Sequence, residues 1–529
     1  MDSSTNNGLL LSGELDSFKN KLATLKDTGK NLNVEDLAKE LFGLTLEDAS
    51  NDLGIRDGPN GERPTKASQL LKVYLILSDE ECKRVVELRS RGWHDNKEDG
   101  DAHFKQQRER ADSTTPEGER GFYKMMQQIG EEMHNAHSIF SIPFVPDGQV
   151  NILDLCMAPG GYTAAALDYR NSFKAYAITL DPRCGGHNVI IDTNRLQGFR
   201  YHDITMFKEF CPNGKDIPED FKSKFSDIKP FTFIKYHLVF ADGKTLRTHD
   251  RIKDTYNANL SKETVRLQTS QLILAMNRMH NGGTLVMLLH KIDTWHSAFM
   301  LYTFSKFAKV EVFKPVKKHA TRSSFYIIAK DIKVNHPETI KAIEEWKKDW
   351  FYATFGGPDN MGLAKEEPTN EIVQELLTEF GPTLIELGHK AWMIQANALS
   401  HTSYAGSTTD GKLEKISGEI NEISEKLNLE VKVKEIAVGL ESLMDRVKQG
   451  LRKRIWCGIK GVFRDHHEAF KMERGVGYAP IGGRGAGCWS VASDGQVIPG
   501  EKAKIDDEAT AGCKPGTNGD NRAIFMMGA

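Results

Sequence analysis

The chain has 529 residues, 39% of them hydrophobic and 27% charged, and its formal net charge is −3. That length calls for two or three folded units. The near-neutral balance excludes a protein that coats nucleic acid over its whole surface, although a local basic patch would suffice for backbone contacts. No apolar run approaches the length of a membrane span, so none is expected. The N-terminal MDSSTNNGLLLSGELD lacks the basic-then-apolar order of a secretory signal and is too acidic for a transit peptide. The cysteines (Cys82, Cys156, Cys184, Cys211, Cys457, Cys488, Cys513) are scattered, with no CxxC pair. That pattern points to a reduced, intracellular protein of nucleus or cytoplasm, with no disulfide framework or metal site.

Residues 1–95 read as short amphipathic helices. Leu37, Leu41 and Leu44 follow helical spacing, as do the apolar positions of QLLKVYLILSDEECKRVVELRSRGW, where Ser78 and Asp79 are placed to start a second helix. Asp48 to Lys66 is rich in Asn, Asp, Gly and Pro and reads as a loop. The charged stretch His94 to Arg120 reads as a linker or solvated helix, with the linker placed at 96–119. From Val150 short apolar runs alternate with helical segments: QVNILDLC, KAYAITLD, YHLVFADG, GTLVMLLH, VEVFK and SFYIIAK, with helices expected over Lys262 to His280 and Thr294 to Phe307. This alternation predicts an α/β fold, a mostly parallel sheet with helices on both faces. The last two strands share a short basic loop, which suits an antiparallel hairpin at one edge.

Residues 333–465 turn helical. Ile416, Ile420, Ile423 and Leu427, then Val433, Ile436, Leu440, Leu443 and Val447, form heptad-like stripes. They suit helices packing on their own domain, or a seam over 413–455 for self-association or a protein partner. Residues 466–529 are Gly-rich with few large apolar side chains and are expected to be disordered.

The strongest local signal is Ile152-Leu153-Asp154-Leu155-Cys156-Met157-Ala158-Pro159-Gly160-Gly161-Tyr162. A buried strand runs into a tight turn whose glycines allow close approach to a ligand, and the next helix opens with free N–H groups. Asp181, Asp203 and Asp242 follow the next strand runs, on the rim where open α/β sheets bind cofactors. A carboxylate at Asp181 suits a ribose diol, and one at Asp203 suits an adenine amine.

DLxxAPGG followed by an aromatic resembles the cofactor motif of the FtsJ-like (RrmJ-type) ribose 2′-O-methyltransferases. The resemblance spans 120–332 and implies a Rossmann-like class I methyltransferase sheet with helical extensions at both ends. It implies S-adenosylmethionine, held by Gly160, Gly161, Asp181 and Asp203 with the rest of the motif and Asp242. It also carries over Lys124 (GFYKMMQQI), Asp242 (FADG) and Lys291 (LVMLLHKID) as three members of the family's Lys-Asp-Lys-Glu tetrad, with Lys291 handling the hydroxyl proton. A lysine can do so when desolvation and a neighbouring cation leave it neutral. The fourth member is missing, because Lys314 to Tyr326 reads KPVKKHATRSSFY and Ser324 or its neighbour stands at the glutamate's position.

Lys314, Lys317, Lys318, His319 and Arg322 cluster between the last two strands, and Lys244 and Arg247 follow Asp242, so these are the expected RNA contacts. Three functions fit. The altered tetrad suits a non-catalytic scaffold that binds cofactor or RNA, whereas Lys124, Asp242 and Lys291 suit an active RNA 2′-O-methyltransferase. Methylation of another substrate class is the third.

Overall fold

In a computed structural model the described residues are 32–55, 64–112, 115–142, 148–245, 256–358, 362–363 and 367–406, with Asn20, Lys21 and Thr24. The apolar runs become β1 (Asn151–Leu155), β2 (Lys174–Thr179), β3 (Gly198–Tyr201), β4 (Tyr236–Ala241), β5 (Met279–His290), β6 (Lys309–Phe313) and β7 (Ser324–Ile332). They form one sheet in the order β3-β2-β1-β4-β5-β7-β6. Pairing is parallel from β3 through to β5, and β7 runs antiparallel to both β5 and β6. The basic hairpin lies at an edge as expected, with β7 inserted inside β6.

Successive side chains of a strand face opposite sides. Leu153, Leu285, Met287, Phe325 and Ile327 therefore join one core, while Ile152, Val286, Tyr326 and Ile328 join the other. Both faces are covered, which is why the strands read as nearly unbroken apolar runs.

On the first face lie α1 (Val34–Phe42), α2 (Leu46–Asp52), α3 (Lys66–Ser78) and α4 (Glu80–Ser90). Leu37, Leu70 and Val85 from these helices share a core with Leu285 of the sheet. So do Trp350 of α10 (Pro337–Phe355) and Leu377 and Trp392 of α11 (Asn370–Ser400). The helical segments on either side of the sheet are thus part of its hydrophobic core. α6 (Pro116–His137) and α7 (Gly161–Tyr169) cover the other face, through Ile129, Met133, Ala164 and Ala165.

Capping explains where local readings held or shifted. Asp79 ends α3 and caps α4, accepting from the Cys82 N–H at 2.8 Å. Thr45 caps the Asp48 N–H at 3.0 Å, so α2 occupies the start of the expected loop. The charged stretch, expected as a linker or a solvated helix, is helical, a π-turn at Arg91–Asp95 followed by α5 (Lys97–Asp112). Two of its few aromatic rings, His103 and Phe104, are held against Tyr404 at 4.7 and 5.6 Å. Of the cysteines, Cys82, Cys156 and Cys211 are free thiols. Cys184 is disulfide-bonded, which corrects the all-thiol expectation. No helix among the described residues is long and apolar enough to cross a membrane. The 413–455 stripes, the 466–529 tail and Arg247 lie outside the described residues.

Candidate active site at the carboxyl rim

β1 and β4 are neighbours whose following connections leave toward opposite sides of the sheet, which opens a crevice beyond their carboxyl ends. The turn after β1 enters it. Cys156 has φ +68° and Gly160 φ +100°, and a Cβ on Gly160 would also lie 2.5 Å from Ile191 Cγ2. Gly161 has a different reason from the one expected. A Cβ there would lie 2.5 Å from the Tyr123 carbonyl oxygen and would also strike Met126, so the missing side chain lets α6 close onto α7. Gly161→Ala is expected to cost about 1–3 kcal/mol by overpacking. An unchanged urea midpoint would show that α6 does not rest there.

Asp154 likewise serves the turn from below. It is buried on β1 and accepts from Thr163 Oγ1 at 2.5 Å, tying strand to helix, and burial pushes its carboxyl well above the usual range. It does not line the cavity. The Pro159 carbonyl accepts from the Ile190 and Ile191 N–H groups at 3.0 and 3.2 Å, pinning the turn to the segment after β2.

A cavity of about 200 Å³ opens beside this turn, and Ala158, Tyr162, Asp203 and Asp242 of the expected cofactor set line it with Thr179, Leu180, Gly186 and Ile204. Tyr162 stacks on Phe240 at 5.6 Å and shares a 2.5 Å hydroxyl contact with Tyr326. Asp203 Oδ1 accepts from the Thr205 N–H at 2.9 Å and Oγ1 at 2.7 Å. Burial pushes the Asp242 carboxyl up to about 7, and the nearby Lys244 ammonium opposes that rise. Asp181 is not in the cavity wall: its carboxylate is taken by Arg183 at 2.6 Å and held below the usual range by that hydrogen bond.

The rest of the cavity wall carries basic and aromatic side chains. Lys244, His290, His319, Arg322, Ser324 and Tyr326 line it, with Phe122 and Met125 from α6. Burial drives the His319 ring down to about 3, helped by Arg322 and Lys314, and Arg322 itself down to about 10. Lys317 and Lys318 are exposed on the β6–β7 loop. Lys314 is buried, and its ammonium donates to the carbonyls of His319 (2.7 Å), Ser324 (2.8 Å) and Arg322. Burial lowers its pKa to about 7. As placed, it braces the loop that carries His319 and Arg322 and does not face a phosphate.

The two lysines expected from the tetrad, Lys124 and Lys291, are not among the residues that line the cavity. On α6, Phe122, Met125, Met126 and Ile129 face it, while Lys124 is exposed. Lys291 follows β5 at φ +53°, its N–H donates to the Ser323 carbonyl, and its ammonium lies 4.6 Å over the Trp93 ring. Two residues missed in the sequence do line the cavity. Strand parity could have found His290, because it shares a face with Leu288, another lining residue. Glu263 shares a face with Leu267, one turn further along α8 (Tyr256–Arg278), and pairs with Arg266 at 2.5 Å.

A sheet of this order with β7 reversed, and an acid-lined cavity beside a strand–glycine turn–helix, defines the Rossmann-like class I methyltransferase fold, whose methyl donor is S-adenosylmethionine. The residues present fit that donor. Asp203 and Asp242 are acids that suit its positive charge, and Leu180, Ile204 and Leu267 are apolar lining residues that suit a purine.

Residues 119–332 match the FtsJ-like methyltransferase family. Over 223 residues it is 25% identical to the Drosophila melanogaster cap-specific mRNA (nucleoside-2′-O-)-methyltransferase 2, covering 39% of this chain and 30% of that protein. The chain therefore spans under a third of that relative's length. Among solved structures, a ribosomal RNA methyltransferase from Plasmodium falciparum is 16% identical, with TM-score 0.24, covering 39% of this chain and 96% of that one. An rRNA methylase from Streptococcus thermophilus is 10% identical, with TM-score 0.22, covering 38% of this chain and 96% of that one.

Proposed function

We propose that the protein transfers a methyl group from S-adenosylmethionine to a ribose 2′-hydroxyl of RNA, in the nucleus or cytoplasm. The observation that carries this is the continuity of one cavity from Asp203 and Asp242 to Lys244, His319 and Arg322. Acids suited to a cationic donor thus stand beside groups suited to phosphate and sugar. The Drosophila relative is named for cap-specific mRNA methylation, and capped transcripts are accordingly the first substrates to try.

The donor, when bound, supplies an electrophilic methyl group. The protein's part is to hold the acceptor oxygen in line with it, a positioning effect worth up to about 7–11 kcal/mol in well-oriented systems. Tyr162 and Tyr326 line the cavity in contact with each other, and Arg322 and Lys244 offer cations for the flanking phosphates. The family resemblance gives the hydroxyl proton to Lys291. For that, its ammonium must leave the Trp93 ring, a contact worth about 0.5–2 kcal/mol.

A second reading is a scaffold that binds cofactor and RNA without turnover. It is favoured by Ser324 in the cavity wall and by the positions of Lys124 and Lys291 outside it. The two part in one assay, with the full chain, tritiated S-adenosylmethionine, and total or capped RNA. Label on ribose, lost in Lys291→Ala, supports transfer with the lysine as proton carrier. Cofactor binding with no label on any RNA class supports the scaffold.

A further inference from the structure

His290 ends β5 and pairs directly across the ladder with Ser324, the first residue of β7. Residues opposite one another on antiparallel strands share a face, and both of these line the cavity. The place where a glutamate was expected therefore faces an imidazole. Lys291 comes one residue later and turns to the other side of the sheet, toward Trp93 of the N-terminal helical layer. His290 Nε2 is buried and has no hydrogen-bond partner among the described residues. A buried polar nitrogen without a partner costs stability unless a ligand satisfies it.

We infer that His290 Nε2 accepts the hydrogen bond of the acceptor hydroxyl and takes its proton during transfer. The inference rests on the methyltransferase reading above and replaces Lys291 as the proton carrier. As the oxygen gains the methyl carbon, the carbon–sulfur bond breaks with its electron pair on sulfur. The hydroxyl proton moves to Nε2 and from there to water.

The surroundings keep the ring uncharged. Burial pushes the ring well below its ordinary range, and Lys244 after β4, Lys291 beside it and Arg89 of α4 push the same way, against Asp293. The ring is therefore neutral at pH 7, with a lone pair on one nitrogen. Asp293 is the anion that acts on the ring, and it would offset the transient imidazolium. Ser324, uncharged, leaves the histidine without the permanent anion that would hold it protonated.

The test uses the full chain. His290→Gln keeps a hydrogen-bonding side chain but cannot carry the proton. Its kcat on RNA should fall about 100-fold or more, while KM for RNA and the calorimetric affinity for S-adenosylmethionine stay within about threefold. In the wild-type protein, nitrogen-detected NMR should show His290 neutral from pH 6 to 8, and RNA should shift its Nε2 resonance. That measurement needs neither turnover nor a folded variant.

If wild type transfers methyl groups but His290→Gln retains its kcat, or RNA leaves the Nε2 resonance unmoved, the inference is overturned and the methyltransferase reading stands. If wild type transfers nothing to any RNA, both fall.

Discussion

Replacing Arg89 with alanine is expected to destabilise the folded protein by about 3–5 kcal/mol, the cost of leaving a buried carboxylate without its partner. Arg89 and Asp293 are 7% and 1% exposed and meet at 2.8 Å. Burial pushes the Asp293 carboxyl up, but Arg89, Lys72 and Lys291 overrule it, and the group rests below the usual carboxylate range. Its contribution to stability is thus present above about pH 4 and lost as the pH falls toward the depressed value. In Arg89→Ala burial remains while the nearest cation is gone, with Lys72 at 3.9 Å still paired to the carboxylate. The carboxyl should then rise, and the variant should lose further stability as the pH rises. Urea denaturation at pH 5 and pH 8 measures this, with a larger gap to wild type at pH 8. A gap below about 1 kcal/mol at both would mean that the pair does not hold the helical layer to the loop after β5. Activity should suffer as well, because Arg89 also donates to Gln395 at 2.6 Å. Gln395 in turn holds the Thr321 carbonyl and Ser323 Oγ, both at 3.2 Å, next to the cavity-lining Arg322 and Ser324.

This coupling was invisible in the sequence, and the reason is physical. Arg89, Asp293 and Gln395 come from segments 204 and 306 residues apart, and no local pattern marks an ion pair closed by tertiary packing. What could be read was what local chemistry dictates. The strand runs, the glycine turn after β1 and the acids Asp203 and Asp242 at the strand ends follow from period-two burial and backbone geometry. A motif match does not fix a side chain's direction. Lys291 and Lys124 stand in the expected segments, yet strand parity gives the cavity to His290, and helix phase gives it to Phe122 and Met125. Lys314 belonged to a basic cluster by sequence, but burial turned its ammonium inward onto three carbonyls. Asp181 sits at the strand end as expected, with its carboxylate committed to Arg183 two residues on.

The affinity for S-adenosylmethionine should weaken about tenfold between pH 8 and pH 6, because only the ionised fraction of Asp242 favours a cation. Burial pushes this carboxyl up to about 7, with Lys244 opposing, so about nine-tenths is ionised at pH 8 and about one-tenth at pH 6. The sign for the ligand-free protein is the reverse. A carboxyl raised on folding contributes stability below its unfolded value near pH 4, and that contribution is lost as the pH climbs through 7. Raising the pH should therefore lower the melting temperature of the protein alone while enlarging the shift that the cofactor produces. Asp242→Asn removes the titration. Its cofactor affinity should be weak and flat across this range, and its stability should no longer fall as the pH passes 7. Calorimetric titration and thermal melts of both proteins at pH 6, 7 and 8 decide the matter. A wild-type affinity independent of pH, or an equal slope in Asp242→Asn, would place the cofactor's positive charge away from Asp242. The acid would then be left to act on the nucleic-acid side of the cavity, beside Lys244.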